Sequence, residues 1–247
     1  MNALQSNGQR PVETDNSSKK KIAVLGDFNP GYHTHLALNR AIVHLVSAVH
    51  EEVIIEWVGT DTFDYSKELT SVYSGLWIAS GSPYKDMKNV LNSIRFAREQ
   101  NIPTYGNCGG YQHMIIEYAR NICGLINADS EETNEGGDEW IISKLACSLE
   151  GQQEEISILK SSLLHSLIGN THIPGLYHCN YGLNPAYASL LESKGMKMNA
   201  RNSNGEIRGF EVMSHPFFIG TLFQPALTST IAEPNPILLA FVQKCIA

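Results

Sequence analysis

The sequence predicts an α/β fold of three layers, with helices flanking a mostly parallel central sheet and a smaller antiparallel β section beside it. Buried strand-like runs alternate with stretches of helical period through the first half of the chain, and the second half is richer in strand-like runs. A chain of 247 residues that is 43% hydrophobic is long enough to bury the core of one such domain.

The first half contributes four predicted strands and three predicted helices. The strand-like runs are "KIAVLGDF" (21–28), "EVIIEWVG" (52–59), "GLWIAS" (75–80) and "IPTYGN" (102–107). The helical runs are "HLALNRAIVHLVSAV", "KDMKNVLNSIRFAREQ" and "YQHMIIEYARNICG". Because parallel sheets bind ligands beyond the carboxyl ends of their strands, the loops "GDFNPGYH", "SGSPYKD" and "NCGGYQ" are expected to share one edge.

An acidic segment rich in turn residues (127–140) separates the two halves, and we expect it to be a solvated loop. The strand-like runs after it are "EWIISKLACSLE", "EISILK", "GLYHCNYGLN", "EIRGFEVM" and "PFFIGTLFQP". The "SHP" stretch (214–216) is expected to turn a hairpin between the last two runs. The closing "PNPILLAFVQKCI" is typical of a helix that opens with proline.

The polar start of the chain predicts a disordered tail over residues 1–20, followed by a single domain over residues 21–247. The tail lacks the apolar core and the cleavage pattern of a signal peptide. No apolar run approaches the roughly 20 residues that span a bilayer. The net charge of −7, with no basic run longer than "KKK", argues against a nucleic-acid or membrane partner and favours a small molecule.

The cysteines indicate reduced thiols and a cytoplasmic location. There are five, an odd number without a Cys-x-x-Cys pair, in a chain without a recognisable export signal. Cys123, Cys147 and Cys245 lie on apolar segments and are expected in the core. Because no acidic or histidine cluster accompanies His33 and His35, we expect neither a metal nor another cofactor.

Cys108 lies between glycines in "GNCGG" (106–110), which is the pattern of a nucleophile elbow. Glycine tolerates the strained backbone of a sharp strand-to-helix turn. A thiol there lies at a helix N-terminus, where unpaired N–H groups and the helix dipole favour the thiolate. The N–H groups of Gly109 and of Gly81 are candidate oxyanion donors. The alternative is a cysteine that only packs at a strand end.

The segment "GLWIASGSPYKDMKNVLNSIRFAREQNIPTYGNCGGYQHMIIEYARNICGL" (75–125) resembles class I glutamine amidotransferases, in particular the glutaminase domain of CTP synthases. The shared features include an elbow of the form G-x-C-x-G-x-Q and continue through "YGLN" (181–184), "SHPFFIG" (214–220), "FQP" (223–225) and "FVQKC". The resemblance runs from about Lys20 to the C-terminus and implies a flavodoxin-like fold. The synthetase domain that precedes this module in CTP synthases has no counterpart in the sequence.

The resemblance also implies a reaction and its residues. In the family, the cysteine attacks the side-chain amide of glutamine, forms a γ-glutamyl thioester and releases ammonia. By that match Cys108 is the nucleophile, and Gly81 and Gly109 form the oxyanion hole. The match implies that the substrate-binding residues are Ser82, Gln112, Asn180 and Tyr181.

The sequence departs from the family at two catalytic positions and one binding position. The "FHPE" motif that supplies the family's His and Glu is Phe223-Gln224-Pro225-Ala226 here. Gln224 cannot accept a proton near neutral pH, and Ala226 cannot orient an imidazole. Asn180 stands in the run where the family has an Arg that binds the α-carboxylate of glutamine, which argues against L-glutamine as the substrate.

Two histidines, His178 and His33, are the candidate replacement bases. His33 lies on the functional edge, and His178 is expected on a strand that borders the substrate in the family. His113 points about 140° away from Cys108 around the elbow helix, so packing or surface exposure is expected. His215 is expected in the hairpin turn, far from the thiol.

Three functions stay open at this point. The first is a free-standing cysteine amide hydrolase that acts through a thioester on glutamine or on another γ-glutamyl-type amide. The second is an inactive amidotransferase-like protein that binds a ligand and regulates. The third is the glutaminase subunit of a two-chain, CTP-synthase-like synthetase. The expected partners are a small-molecule amide and either a second copy of the chain or a synthetase.

Overall fold

The computed structural model describes residues 19–247 as alternating strands and helices around two sheets. The strands are β1 (Lys20–Leu25), β2 (Val53–Val58), β3 (Gly75–Ile78), β4 (Thr104–Asn107), β5 (Asp129–Ser130), β6 (Trp140–Lys144), β7 (Gln153–Ile158), β8 (His172–Leu176), β9 (Tyr181–Leu183), β10 (Met196–Asn202), β11 (Ile207–Val212) and β12 (Phe218–Thr221). The helices are α1 (His33–Ala48), α2 (Tyr65–Ser71), α3 (Met87–Glu99), α4 (Gly109–Asn121), α5 (Leu163–Ile168), α6 (Ala188–Ser193) and α7 (Pro236–Ile246).

The large sheet has nine strands in the order β2-β1-β3-β4-β12-β11-β10-β7-β8. The pairings from β2 across to β12 are parallel, and those from β12 to β8 are antiparallel. The parallel part follows the 2-1-3-4-5 order of flavodoxin-like folds. The α/β class is thereby confirmed, and the antiparallel section continues the central sheet edge to edge.

A small sheet of three strands, in the order β5-β6-β9, lies in the region predicted to be solvated loop and strand. Strand β5 pairs with β6 in parallel, and β6 pairs with β9 in antiparallel fashion. The expectation of a loop over residues 127–140 is therefore wrong at Asp129 and Ser130, which form β5. The Ser130 side chain is buried, so this acidic stretch begins inside the fold.

Helix α4 packs unusually close to the parallel strands because two glycines remove side chains at the contact. A Cβ at Gly110 would overlap the carbonyl of Ile78 on β3, and one at Gly106 would lie 2.5 Å from the sulfur of Met114. Every residue of α4 from Gly109 to Ala119 is buried. The start of α4, where the elbow lies, is thus held against the centre of the sheet.

Further boundaries refine the sequence expectations. Of the predicted tail, residues 1–18 lie outside the described residues. Lys19 precedes the first strand, and β1 begins at Lys20. The predicted hairpin is present between β11 and β12, with His215 buried in its turn. Cys245 is buried as expected, whereas Cys123 is half-buried and Cys147 is exposed, so the expectation for these two was wrong.

Candidate active site

Cys108 lies between the last residue of β4 and the first residue of α4, in the sharp turn that the sequence predicts. Its backbone has φ 51° and ψ −110°, values that L-residues rarely adopt. Its N–H donates to the Thr221 carbonyl at 3.0 Å, and its own carbonyl accepts from the Gln112 N–H at 3.1 Å. The neighbouring strand β12 and the first turn of α4 therefore both fix the strained residue.

The loop that follows β3 lies against the elbow, and it carries Gly81 and Ser82. Gly81 has φ +104°, and a Cβ there would lie 2.7 Å from Nε2 of His35. A Cβ at Gly109 would lie 3.2 Å from the backbone nitrogen of Ser82, so the two loops are in contact. Within residues 19–247, neither the Gly81 nor the Gly109 N–H donates a backbone hydrogen bond outside the regular elements. Both groups remain available to an oxyanion.

A cavity of about 300 Å³ opens beside Cys108. Seven predicted site residues besides Cys108 line it: His33, Gly81, Ser82, Gln112, His178, Asn180 and Tyr181. The three loops expected at one sheet edge therefore meet there. Gln112 ties the elbow helix to the small sheet, because its Nε2 donates to the Tyr181 carbonyl at 2.9 Å.

The two candidate bases lie together on one wall of the cavity. The rings of His33 and His178 meet edge to face, with centroids 4.4 Å apart. Nε2 of His178 lies 3.5 Å from a carboxylate oxygen of Glu150, and the His178 carbonyl accepts from the Cys108 thiol at 3.7 Å. His178 lies in the connection between β8 and β9, so its predicted place on a strand was wrong.

Loss of hydration lowers the pKa of His33, and the neighbouring His178 and Arg40 lower it further against the opposing effect of Glu150. A histidine whose pKa is lowered is neutral at pH 7 and has a lone pair available to accept a proton.

Three other histidines are structural. His113 is buried, and its Nδ1 donates to the Gly109 carbonyl at 2.7 Å, which confirms its packing role. His35 donates from Nε2 to the Ser80 carbonyl at 2.8 Å and accepts at Nδ1 from the Asn29 N–H, so it supports the Gly81 loop. His215 accepts from the Phe217 N–H in the hairpin turn. Burial lowers the pKa of each of these three side chains.

The two positions that depart from the family's "FHPE" motif, Gln224 and Ala226, do not line the cavity, whereas Asn180 does. Gln224 is buried, and its Oε1 accepts from Nδ2 of Asn107 at 3.4 Å. Asn107 in turn accepts from the indole N–H of Trp77. Ala226 lies beyond Gln224 in a short 3₁₀ turn over Pro225–Leu227 and is also buried. Gln224 is therefore held behind the elbow by its neighbours instead of facing the cavity.

Four side chains of the cavity escaped the sequence reasoning: Tyr32, Glu132, Glu150 and Cys179. Both glutamates lie in stretches that look solvated, and Glu132 accepts from the Ser82 hydroxyl at 3.4 Å. Cys179 is buried beside Cys108, and contact with that thiol together with burial raises its pKa. Cys179 could have been found from the sequence, because it directly follows the predicted site residue His178. Within the described residues no group of three or more His, Cys, Asp or Glu side chains has the arrangement of a metal site.

The model of the family described as "Glutamine amidotransferase class-I" matches residues 34–244. The chain belongs to this family. CTP synthases from Sulfolobus acidocaldarius and Methanoregula boonei are each 30% identical to this chain, over 239 and 243 residues. These alignments cover 92% and 96% of the chain and 45% of each relative. The chain thus spans about half the length of the curated relatives it matches.

Solved structures agree on the fold. The glutaminase domain of Trypanosoma brucei CTPS with bound acivicin superimposes with a TM-score of 0.84 at 22% identity, covering 92% of this protein and 94% of that chain. A glutamine amidotransferase from Thermotoga maritima gives a TM-score of 0.57 at 9% identity, with coverage of 92% and 96%. In residues 19–247, every helix is too short or too polar to cross a membrane.

Proposed function

We propose that the chain is a cysteine amide hydrolase that uses Cys108 to cleave the side-chain amide of glutamine or of another γ-glutamyl-type amide. The observation that carries the proposal is the strained elbow, which presents the Cys108 thiol to a cavity of about 300 Å³ that Gly81 also lines. A residue held at such a backbone conformation is typical of sites where strain serves function.

The reaction has two balanced steps. The Cys108 thiolate attacks the amide carbon, and the oxyanion is stabilised by the Gly81 and Gly109 N–H groups. The C–N bond then breaks, the amine leaves with one added proton, and the acyl group remains on sulfur as a thioester. Water attacks the thioester, which releases the carboxylic acid and returns the proton to the enzyme.

The proton transfers are assigned to His178, with Glu150 as its orienting carboxylate and His33 as the second imidazole. Their rings are in contact, and the His178 main chain touches the thiol. General acid–base help is typically worth a factor of about 10²–10⁴. Because His33 is exposed and the His178 side chain is 38% exposed, we place the expected contribution at the lower end, about 10².

The test measures the amine that each amide releases, together with intact mass to detect the thioester. The amine is ammonia from glutamine, methylamine from γ-glutamyl methylamide, and the amino acid or peptide from glutathione-like γ-glutamyl amides. We expect Cys108→Ala to abolish turnover and the acyl adduct. His178→Asn should lower kcat by about 10²-fold, whereas His172→Asn, at an exposed histidine on β8, should leave it unchanged. Absence of Cys108-dependent product with every amide would refute the hydrolase.

A second candidate function is ligand binding without turnover. It is supported by Gln224 and Ala226, because neither reaches the cavity that the thiol faces. In that case calorimetry would give the Cys108→Ala variant the same Kd for these amides as the wild-type protein. The wild-type protein would form no product from them. A synthetase partner would be recognised by co-purification and by ammonia transfer within the complex. The homodimer expected from the sequence also stays a prediction.

A further inference from the structure

The Cys108 cavity is lined by acidic side chains without basic ones to balance them. The acidic side chains are the carboxylates Glu132 and Glu150, and within the described chain the lining includes no lysine or arginine. The remaining polar lining consists of neutral groups, such as Ser82, Asn180 and Gln112, and of the imidazoles. A ligand with a carboxylate would therefore meet two negative charges without a fixed positive partner.

Glu132 lies next to the reaction centre. Its carboxylate accepts from Ser82, the residue that follows Gly81 and whose nitrogen would lie 3.2 Å from a Cβ at Gly109. Loss of hydration raises the pKa of Glu132, although the residue keeps an exposed surface. An ionised carboxyl that has lost part of its water shell gains from a cationic partner placed in the cavity.

Glu150 supplies the second negative charge from the His178 wall, 3.5 Å from the imidazole. His33 offers no fixed positive charge, because its lowered pKa keeps the ring neutral near pH 7. Arg40 acts on His33 from helix α1 but does not line the cavity. The carboxylates of Glu132 and Glu150 therefore give the cavity a negative electrostatic bias.

We propose that the substrate of this site is a carboxamide whose acyl chain carries an ammonium group and no carboxylate, as in 4-aminobutanamide, which is glutamine without its α-carboxylate. This inference rests on the proposed hydrolase and narrows its substrate class. The ammonium pairs with the glutamate carboxylates, while the amide carbon lies at the Cys108 thiol.

The first experiment compares four primary amides of similar length for Cys108-dependent ammonia release: 4-aminobutanamide, L-glutamine, glutaramate and butanamide. We expect kcat/KM for 4-aminobutanamide to exceed that for glutaramate by at least about fivefold, because two partly exposed ion pairs contribute modestly. The Glu132→Gln variant should reduce this ratio, and Glu155→Gln, at an exposed glutamate on β7, should not. Turnover that favours glutamine or glutaramate would overturn the inference while leaving the hydrolase intact.

The second experiment measures the charge of the cavity without using turnover. Cys108 is labelled with cationic 2-aminoethyl methanethiosulfonate or anionic 2-sulfonatoethyl methanethiosulfonate, and the rates are read by peptide mass spectrometry. Relative to N-acetylcysteinamide in the same buffer, we expect at least about fivefold preference for the cation, weakened by Glu132→Gln and by added salt. Equal rates or preference for the anion would overturn the inference.

The two experiments separate the possible failures. If no amide yields ammonia but Cys108 still selects the cationic label, the hydrolase is refuted and the cation selectivity of the cavity stands. If ammonia is released but the label shows no preference for the cation, the hydrolase stands and the assignment of an ammonium-bearing, carboxylate-free substrate is refuted.

Discussion

Replacing Cys108 by glycine is expected to leave the protein more stable than replacing it by alanine. Both substitutions remove the sulfur, so the loss of its buried contacts is common to both. They differ at the backbone, where φ 51° and ψ −110° lie outside the regions that alanine readily adopts. A non-glycine residue held in such a region costs on the order of 1–3 kcal/mol.

Glycine has its own cost, because it loses more conformational freedom on folding, by roughly 0.5–1 kcal/mol relative to alanine. The difference predicts that the Cys108→Gly variant is more stable than the Cys108→Ala variant by up to about 2.5 kcal/mol. Urea unfolding followed by circular dichroism measures this difference, provided that the two variants have the same m-value.

A matched control is Gly205→Ala in the turn between β10 and β11. Gly205 has φ +81°, and a Cβ there would meet no atom within 4 Å, so the substitution tests an unfavourable φ without a clash. It should destabilise the protein by about 1 kcal/mol. If the Cys108→Ala variant is as stable as the Cys108→Gly variant while Gly205→Ala is destabilising, the elbow stores no strain and the reasoning fails.

Three further predictions concern the oxyanion loop, a buried ion pair and acid stability. Gly81→Ala should lower kcat/KM by about 10²–10³ in the ammonia assay, because its Cβ would lie 2.7 Å from His35 and displace an oxyanion donor; activity within threefold of wild type would contradict this. Glu117→Gln should lower the unfolding free energy by about 3–5 kcal/mol, because it leaves Arg98 without its fully buried partner at 2.7 Å, whereas Glu99→Gln on the exposed Arg95 pair should cost under about 1 kcal/mol. Burial lowers the pKa of His113, so as the pH falls the unfolded chain takes up this proton at a higher pH than the folded protein does. The unfolding free energy should therefore fall as the pH drops below about 6.5. Urea titrations at pH 7.5, 6.5 and 5.5 measure this slope, and His113→Asn should flatten it.

The parallel half of the fold was predictable because its buried strands are short apolar runs with little ambiguity. Strand β3, for example, is entirely buried and reads as "GLWI". Strand β10 was missed, because "MKMNARN" carries charged and amide side chains. Its Asn199 is buried by donating to Glu211, a partner that the sequence cannot place beside it. Buried polar residues satisfied through tertiary contacts carry no periodic signal.

Part of the candidate site was predictable from the sequence, and part was not. The elbow at Cys108 was predictable because local glycine spacing specifies the turn, and the loops of the parallel strands follow from topology. Glu132 and Glu150 were missed because acidic residues in turn-rich segments resemble solvent-facing loops. The tertiary fold places these segments beside the carboxyl end of β4, and no local sequence pattern indicates that placement. The location of Gln224 behind the cavity also depends on its contact with Asn107.

The order of strands in the sheet sets the time at which the site can form during synthesis. Strand β4 pairs on one side with β3 and on the other with β12, and the Cys108 N–H is held by Thr221 at the end of β12. Residues 104–108 precede residues 218–221 by more than a hundred positions, so the edge of β4 that pairs with β12 stays uncovered until β12 is available. Such long-range pairing is slow, and open edges favour aggregation. The elbow therefore acquires its full set of backbone contacts only once β12 has joined the sheet.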